Sequence, residues 1–184
     1  MDQDARFETL IGEGLAASRE DHAETAISLF MQASEQLPSS GVPHFLVGSE
    51  HAAAGDMQAA EASFANAVLL APEFELARYQ LGLLQFSSGR AAVALVSWQP
   101  LFALPQQRSL GRFVRAFAAL AQDRLQEALA LFESGLACED LNPAVAGDVR
   151  QVTAGLRGLL SSQGDSVPGA EAHVLLAAYA RGLH

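Results

Sequence analysis

A single spacing governs this chain. Ala26, Ala60, Ala94 and Ala128 stand 34 residues apart, and so do Phe30, Phe64, Trp98 and Phe132. Gly14, Gly48 and Gly82 keep the same step, with Ala116 in the fourth place. Ala33 and Ala67 keep it too, followed by Leu101 and Gly135. Pro38 and Pro72 form another such pair, and Pro105 and Pro143 close the later periods slightly out of step. A period of this length marks an array of one supersecondary unit. Each unit is too small to bury its own apolar face, so neighbours stack and bury it for one another.

The residue types at these positions specify helices. Alanine is abundant and is the best helix former, while β-branched residues are too sparse for sheets. The glycine belongs to a first helix at a point of close approach, where a side chain would clash. The small alanine of the second helix answers it, and the aromatic one turn later fills the space between units. Gly55 and Gly89 fall in the tight turn between the two helices, where positive φ is easiest for glycine. Asp21 and Asp123 hold that place in the first and fourth periods. A proline closes each second helix, because it has no N–H to continue the ladder.

This pattern resembles the tetratricopeptide repeat (TPR), a 34-residue helix–turn–helix. Residues 41–74 carry the fullest match, with Gly48, Gly55, Ala60, Phe64, Ala67 and Pro72 in register. Residues 75–108 keep Leu81, Gly82, Gly89, Ala94 and Trp98. Residues 7–40 keep Gly14, Ala26, Phe30, Ala33 and Pro38, and residues 109–142 keep Ala116, Ala128 and Phe132. The resemblance implies an all-α, right-handed superhelical solenoid of antiparallel helix pairs, with four units over residues 1–142. The first helix of the first unit lacks the family's usual aromatics. The fourth unit puts Arg112 and Arg115 where the family has core residues. An unpaired buried arginine is costly, so that helix is expected to rotate or its arginines to snorkel to the surface.

Residues 143–184 leave the period. Asn142-Pro143 reads as a capping side chain followed by proline at the first helical position. Val145, Val149, Val152, Leu156, Leu159 and Leu160 then recur at helical spacing. Ser161-Ser162-Gln163-Gly164-Asp165 reads as a turn, and Pro168 opens a last helix with Val174, Leu175, Leu176 and Tyr179. A solenoid needs a polar-backed end, and these two helices are expected to cap it. A rival reading folds the last helix back into the groove.

Composition narrows the function. The formal net charge is −10, and all eleven basic residues are arginine. Residues 1–75 hold thirteen carboxylates and two arginines, whereas residues 76–122 hold five arginines and no carboxylate. The overall acidity disfavours nucleic acid as a partner. Arg78, Arg108, Arg112 and Arg115 of the middle segment are candidates for steering an acidic partner. Cys138 has no second cysteine for a disulfide or a zinc pair. The N-terminus does not read as a signal peptide and no apolar run spans a membrane, so a cytoplasmic protein without membrane insertion is expected. The lysine-free, alanine- and arginine-rich composition is of bacterial type.

No catalytic arrangement stands out. Gly12-Glu13-Gly14 lacks the preceding strand of a phosphate-binding loop. His44 and His51 are too far apart along one helix for one metal, and no HExxH or GxSxG occurs. The chain is therefore read as a non-enzyme without cofactor or metal. In the resembled family, one side of each first helix lines a concave face that binds protein segments. Carried over by register, the lining is Ile11 and Leu15; Val42, Phe45, Leu46 and Ser49; Leu76, Tyr79, Gln80, Leu83 and Phe86; and Leu110, Phe113, Val114, Phe117 and Leu120. Such a face suits an amphipathic helix or an apolar peptide of another protein. The implied role is an adaptor or chaperone of secretion or assembly type. The alternatives are a self-associating scaffold, such as a homodimer through the same face, and the non-catalytic TPR region of a larger enzyme.

Overall fold

A computed structural model describes residues 2–162, and the last helix expected from Pro168 onward lies outside them. The described residues are helical and contain no strand, and they fall into two compact units divided between Leu84 and Gln85. The N-terminal unit holds α1 (Asp2–Arg19), α2 (Ala23–Gln36), α3 (Val42–Ala53), α4 (Met57–Leu70) and most of α5 (Glu75–Ser87). The C-terminal unit holds the end of α5, α6 (Ala91–Ser97), a 3-10 turn at Gln99–Ala103, α7 (Ser109–Leu120), α8 (Leu125–Leu136) and α9 (Pro143–Ser162).

The same turn is made four times. Asp21 and Asp123 have φ of 58° and 55°, and Gly55 and Gly89 have φ of 79° and 82°. After each, one N–H reaches back five residues: His22 to Ala17 O, Asp56 to His51 O, Arg90 to Gln85 O and Arg124 to Ala119 O, all at 2.9 Å. This is the bond by which a left-handed residue closes a helix C-terminus and satisfies its orphan carbonyls. The carbonyls of His22, Asp56, Arg90 and Arg124 then accept from Ala26, Ala60, Ala94 and Ala128, which starts the second helix. The glycine turns expected from the sequence are present, and aspartate holds the same conformation in the other two.

Inside the pairs, glycine and aromatic interlock. A Cβ on Gly14 would lie 2.4 Å from Cε1 of Phe30, and one on Gly48 would lie 2.7 Å from Cδ1 of Phe64. No side chain larger than hydrogen fits there unless the ring moves. The fourth repeat reverses the arrangement. Its first helix carries Phe113, and a Cβ on Gly135 of the second helix would lie 2.4 Å from Cε1 of that ring. Phe30, Ala26 and Ala33 are fully buried in the N-terminal unit, as are Ala60 and Ala67, with Phe64 nearly so. The core of the C-terminal unit is a run of five rings. Trp98 stacks on Phe117 at 5.3 Å, Phe86 lies 5.1 Å from Phe117, and Phe117 meets Phe132 edge-on at 4.9 Å. Phe113 completes the run, 6.3 Å from Phe132.

The third repeat breaks its second helix. Pro100 has no N–H to give Val96, so α6 stops at Ser97 and the chain tightens into the 3-10 turn before Leu104. Arg115 fills the gap this leaves. Its guanidinium donates to Phe102 O at 2.6 Å, to Leu104 O at 3.3 Å and to Gly111 O at 2.8 Å. Arg112 likewise donates to Gln106 O at 2.6 Å. Both arginines are half-buried and turn their heads onto backbone carbonyls, and Arg115 meets its burial by these bonds rather than by the expected snorkelling to the surface.

Helix ends follow proline in three of four places. Leu37, Ala71 and Leu104 leave the helical region immediately before Pro38, Pro72 and Pro105. The fourth place is a correction, because α8 ends at Leu136, well before Pro143. Pro143 instead opens α9, and Asn142 Oδ1 accepts from Ala144 N at 2.9 Å, the start expected there. α9 buries Val145, Val149 and Leu156 and packs on α8. It continues through Ser161 and Ser162, where a turn was expected. At the other end, α1 begins one turn before Phe7, and Gln3 donates to Gln36 O at the end of α2.

α7 is capped from a distance. Asp140, in the loop after α8, accepts Ser109 N–H at 2.9 Å through Oδ1 and Arg108 Nε at 2.6 Å through Oδ2. Burial pushes the Asp140 carboxyl up, but the Ser109 and Arg108 hydrogen bonds and the Arg108 charge outweigh it and hold it below the usual aspartate range. On α9, burial alone pushes the Asp148 carboxyl up.

Two predictions follow from this geometry. Gly89 has open space around its Cβ position, so Gly89→Ala tests backbone strain alone and is expected to lower stability by about 1–2 kcal/mol. Asp123→Gly removes that strain and is expected to raise stability by several tenths of a kcal/mol or more, roughly the margin by which glycine is preferred at such a position. Urea unfolding midpoints measure both. The second prediction concerns pH. A depressed folded-state carboxyl contributes stability above its unfolded value of about 3.9 and loses it as pH falls through the folded value. Asp140→Asn is therefore expected to flatten the acid limb of the stability curve below about pH 5. A raised carboxyl acts with the opposite sign, losing stability as pH rises through its folded value, so Asp148→Asn is expected to stabilise the protein at neutral pH.

Candidate protein-binding surface

The first-helix residues divide sharply by burial. In the N-terminal unit, Phe45, Leu46 and Ser49 of α3 and Leu76 and Gln80 of α5 are half-buried, as are Ile11 and Leu15 of α1, while Val42 is exposed. Tyr79 and Leu83 are buried. Ile11, Leu15 and Leu46 pack at the edge of a core formed by Ala17, Ala26, Phe30 and Val47. Phe45 packs against Phe64 at 5.6 Å and Phe74 at 5.0 Å. Ser49 donates to Phe45 O within its own helix. In the C-terminal unit, Phe86, Phe113, Phe117 and Leu120, with Leu110 and Val114, are buried, the phenylalanines in the ring cluster. The side chains that remain open to a partner are thus those of the N-terminal unit.

The arginines are engaged with their own chain. Arg108, Arg112 and Arg115 fall along one stripe of α7 and its cap, bound to Asp140, Gln106 O and the carbonyls around the 3-10 turn. Arg78 belongs to the other unit, where it donates to Pro72 O at 2.8 Å. Among the described residues no three histidine, cysteine or carboxylate side chains gather as a metal would require, and no helix is long and apolar enough to cross a membrane.

The N-terminal unit also carries a cleft that the repeat register does not point to. It lies between the α2–α3 and α4–α5 loops, with a volume of about 460 Å³. Leu37, Val42, Leu70, Ala71 and Phe74 give it apolar walls, and Glu73 is its one charged residue. Leu37, Val42 and Leu70 are each more than a third exposed. Phe74 joins the cleft to Phe45 through their ring contact. The hint in the sequence is Leu37, directly before Pro38, and Leu70, two residues before Pro72.

No family profile matches the chain, and no curated protein matches it. Solved structures do. A crystal structure of MamA is similar at 21% identity over 71% of this chain and 76% of that one, with a TM-score of 0.58. A double mutant of MamA from RS-1 is similar at 14% identity over 97% and 94% of the two chains, with a TM-score of 0.62. MamA from Desulfovibrio magneticus RS-1, beginning at its residue 41, gives 13% identity, 97% and 93% coverage and a TM-score of 0.62. At these identities the likeness establishes the fold, which is that of a TPR-like helical solenoid.

Proposed function

We propose that this chain is a non-catalytic protein-binding module, holding an amphipathic helix or apolar peptide segment of a partner as a cytoplasmic adaptor or chaperone. We read it as four repeats, 7–40, 41–74, 75–108 and 109–142, followed by C-terminal capping residues. The observation that carries the reading is that apolar side chains on the first helices of the N-terminal unit, Phe45, Leu46 and Leu76, stay half-buried, as does Gln80. Apolar side chains left partly open on a rigid helical scaffold supply anchors for a segment with apolar residues at helical spacing. The buried phenylalanines of the C-terminal unit serve by holding that unit together. Self-association through the same face is the alternative reading.

The test uses half-buried side chains, Leu46 at the edge of the core and Leu76. Leu46→Ser with Leu76→Ser is expected to weaken capture of a partner segment by about tenfold or more while circular dichroism stays unchanged. Phe86→Ala, a core change, is instead expected to cost about 3–5 kcal/mol of stability. Undiminished binding by the double variant would remove the surface from the reading. A monomer–dimer shift on dilution that the double variant abolishes would assign the face to self-association.

A further inference from the structure

We infer that the cleft between the α2–α3 and α4–α5 loops docks a cationic segment of a partner protein, an apolar anchor flanked by Lys or Arg. This rests on the reading of the chain as a segment-binding module and names the chemistry of the segment. The walls explain the anchor. Leu37, Val42 and Leu70 leave 36%, 39% and 37% of their surface exposed, and they line the cleft together with Phe74. An apolar side chain placed there removes that surface from water. Ser39, Ser40 and Glu73 are the polar residues of the lining.

Charge sets the flanks. From Arg19 to Arg78 the chain carries nine carboxylates and no Lys or Arg between them. Residues 1–84 hold thirteen carboxylates against three arginines. Glu73 is exposed at the cleft itself, and Glu75 follows it at the start of α5. The nearest fixed cation in sequence, Arg78, turns its guanidinium to the carbonyl of Pro72 on the same loop. Glu73 at the cleft and the carboxylate excess of the unit, thirteen against three arginines, favour a cationic segment over an acidic one. The attraction reaches about 8–10 Å at physiological ionic strength and weakens as salt rises.

Two fluorescein-labelled synthetic peptides of identical apolar pattern test this, one carrying Lys and the other Glu at its polar positions. Each is titrated against the full chain by fluorescence anisotropy at low and at moderate salt. The Lys peptide is expected to bind about tenfold or more tighter than the Glu peptide and to weaken several-fold as salt rises. Val42→Ser with Leu70→Ser, both partly exposed, is expected to weaken the Lys peptide about tenfold with circular dichroism unchanged, and Glu73→Gln to reduce its salt dependence. Equal affinity for both peptides, binding of neither, or Lys-peptide binding that ignores Val42→Ser with Leu70→Ser overturns the proposal. Loss of Lys-peptide binding in Leu46→Ser with Leu76→Ser alone also overturns the cleft, while leaving the segment-binding reading in place. A cleft-dependent dimer seen by sedimentation, with no peptide bound, assigns the cleft to a second copy and overturns it.

Discussion

The fit of an aromatic ring against a glycine backbone is the contact on which the repeats depend. Phe30 and Phe64 each occupy the space where a first-helix side chain would otherwise begin, at Gly14 and Gly48. The contact lets two helices approach more closely than side chains allow, and it buries the ring completely or nearly so. The positive-φ turn between the helices then fixes their relative direction, and its backbone bonds repeat residue for residue at all four turns. The interlocks at Gly14, Gly48 and Gly135 and the four turns are local, each made within fewer than 34 residues, as in a solenoid.

Where the interlock varies, the surface varies with it. In the fourth repeat the first helix adds a ring, Phe113, that seats on Gly135 of the second helix, while Phe132 keeps the register position. The first-helix rings Phe113 and Phe117 then join Trp98 and Phe132 in the core of the C-terminal unit. In the N-terminal unit the first helices keep smaller commitments to the core, so Leu46 and Leu76 stay half-open. The same unit carries almost all of the negative charge in the first half of the chain. Half-open apolar residues on the first helices and acidity therefore coincide in the N-terminal unit.

Much of the fold was legible in the sequence, because its determinants are single residues with one physical reason each. Gly55 and Gly89 mark positive φ, Pro38 and Pro72 mark helix ends, and Asn142-Pro143 marks a helix start. The surface was less legible. Repeats three and four carry apolar residues at both the core-facing and the groove-facing positions of their first helices. Apolarity alone therefore does not say whether Tyr79, Phe86 or Phe117 is open or buried. The break at Pro100 and its repair by Arg115 depend on carbonyls that only folding brings within reach. The capping of α7 by Asp140 depends on a contact 31 residues along the chain, and the Leu37–Leu70 cleft on two loops meeting. None of these leaves a local pattern.

The most direct test of the interlock is a double-mutant cycle on Gly48 and Phe64, followed by urea unfolding. Gly48→Ala alone is expected to cost about 1–3 kcal/mol, because the new methyl group overlaps the ring. Phe64→Leu removes the ring edge that the methyl meets, so the two changes together are expected to cost at least about 1 kcal/mol less than their sum. Costs that simply add would mean that Gly48 and Phe64 do not constrain each other, and the account of the repeats as glycine–aromatic interlocks would be wrong.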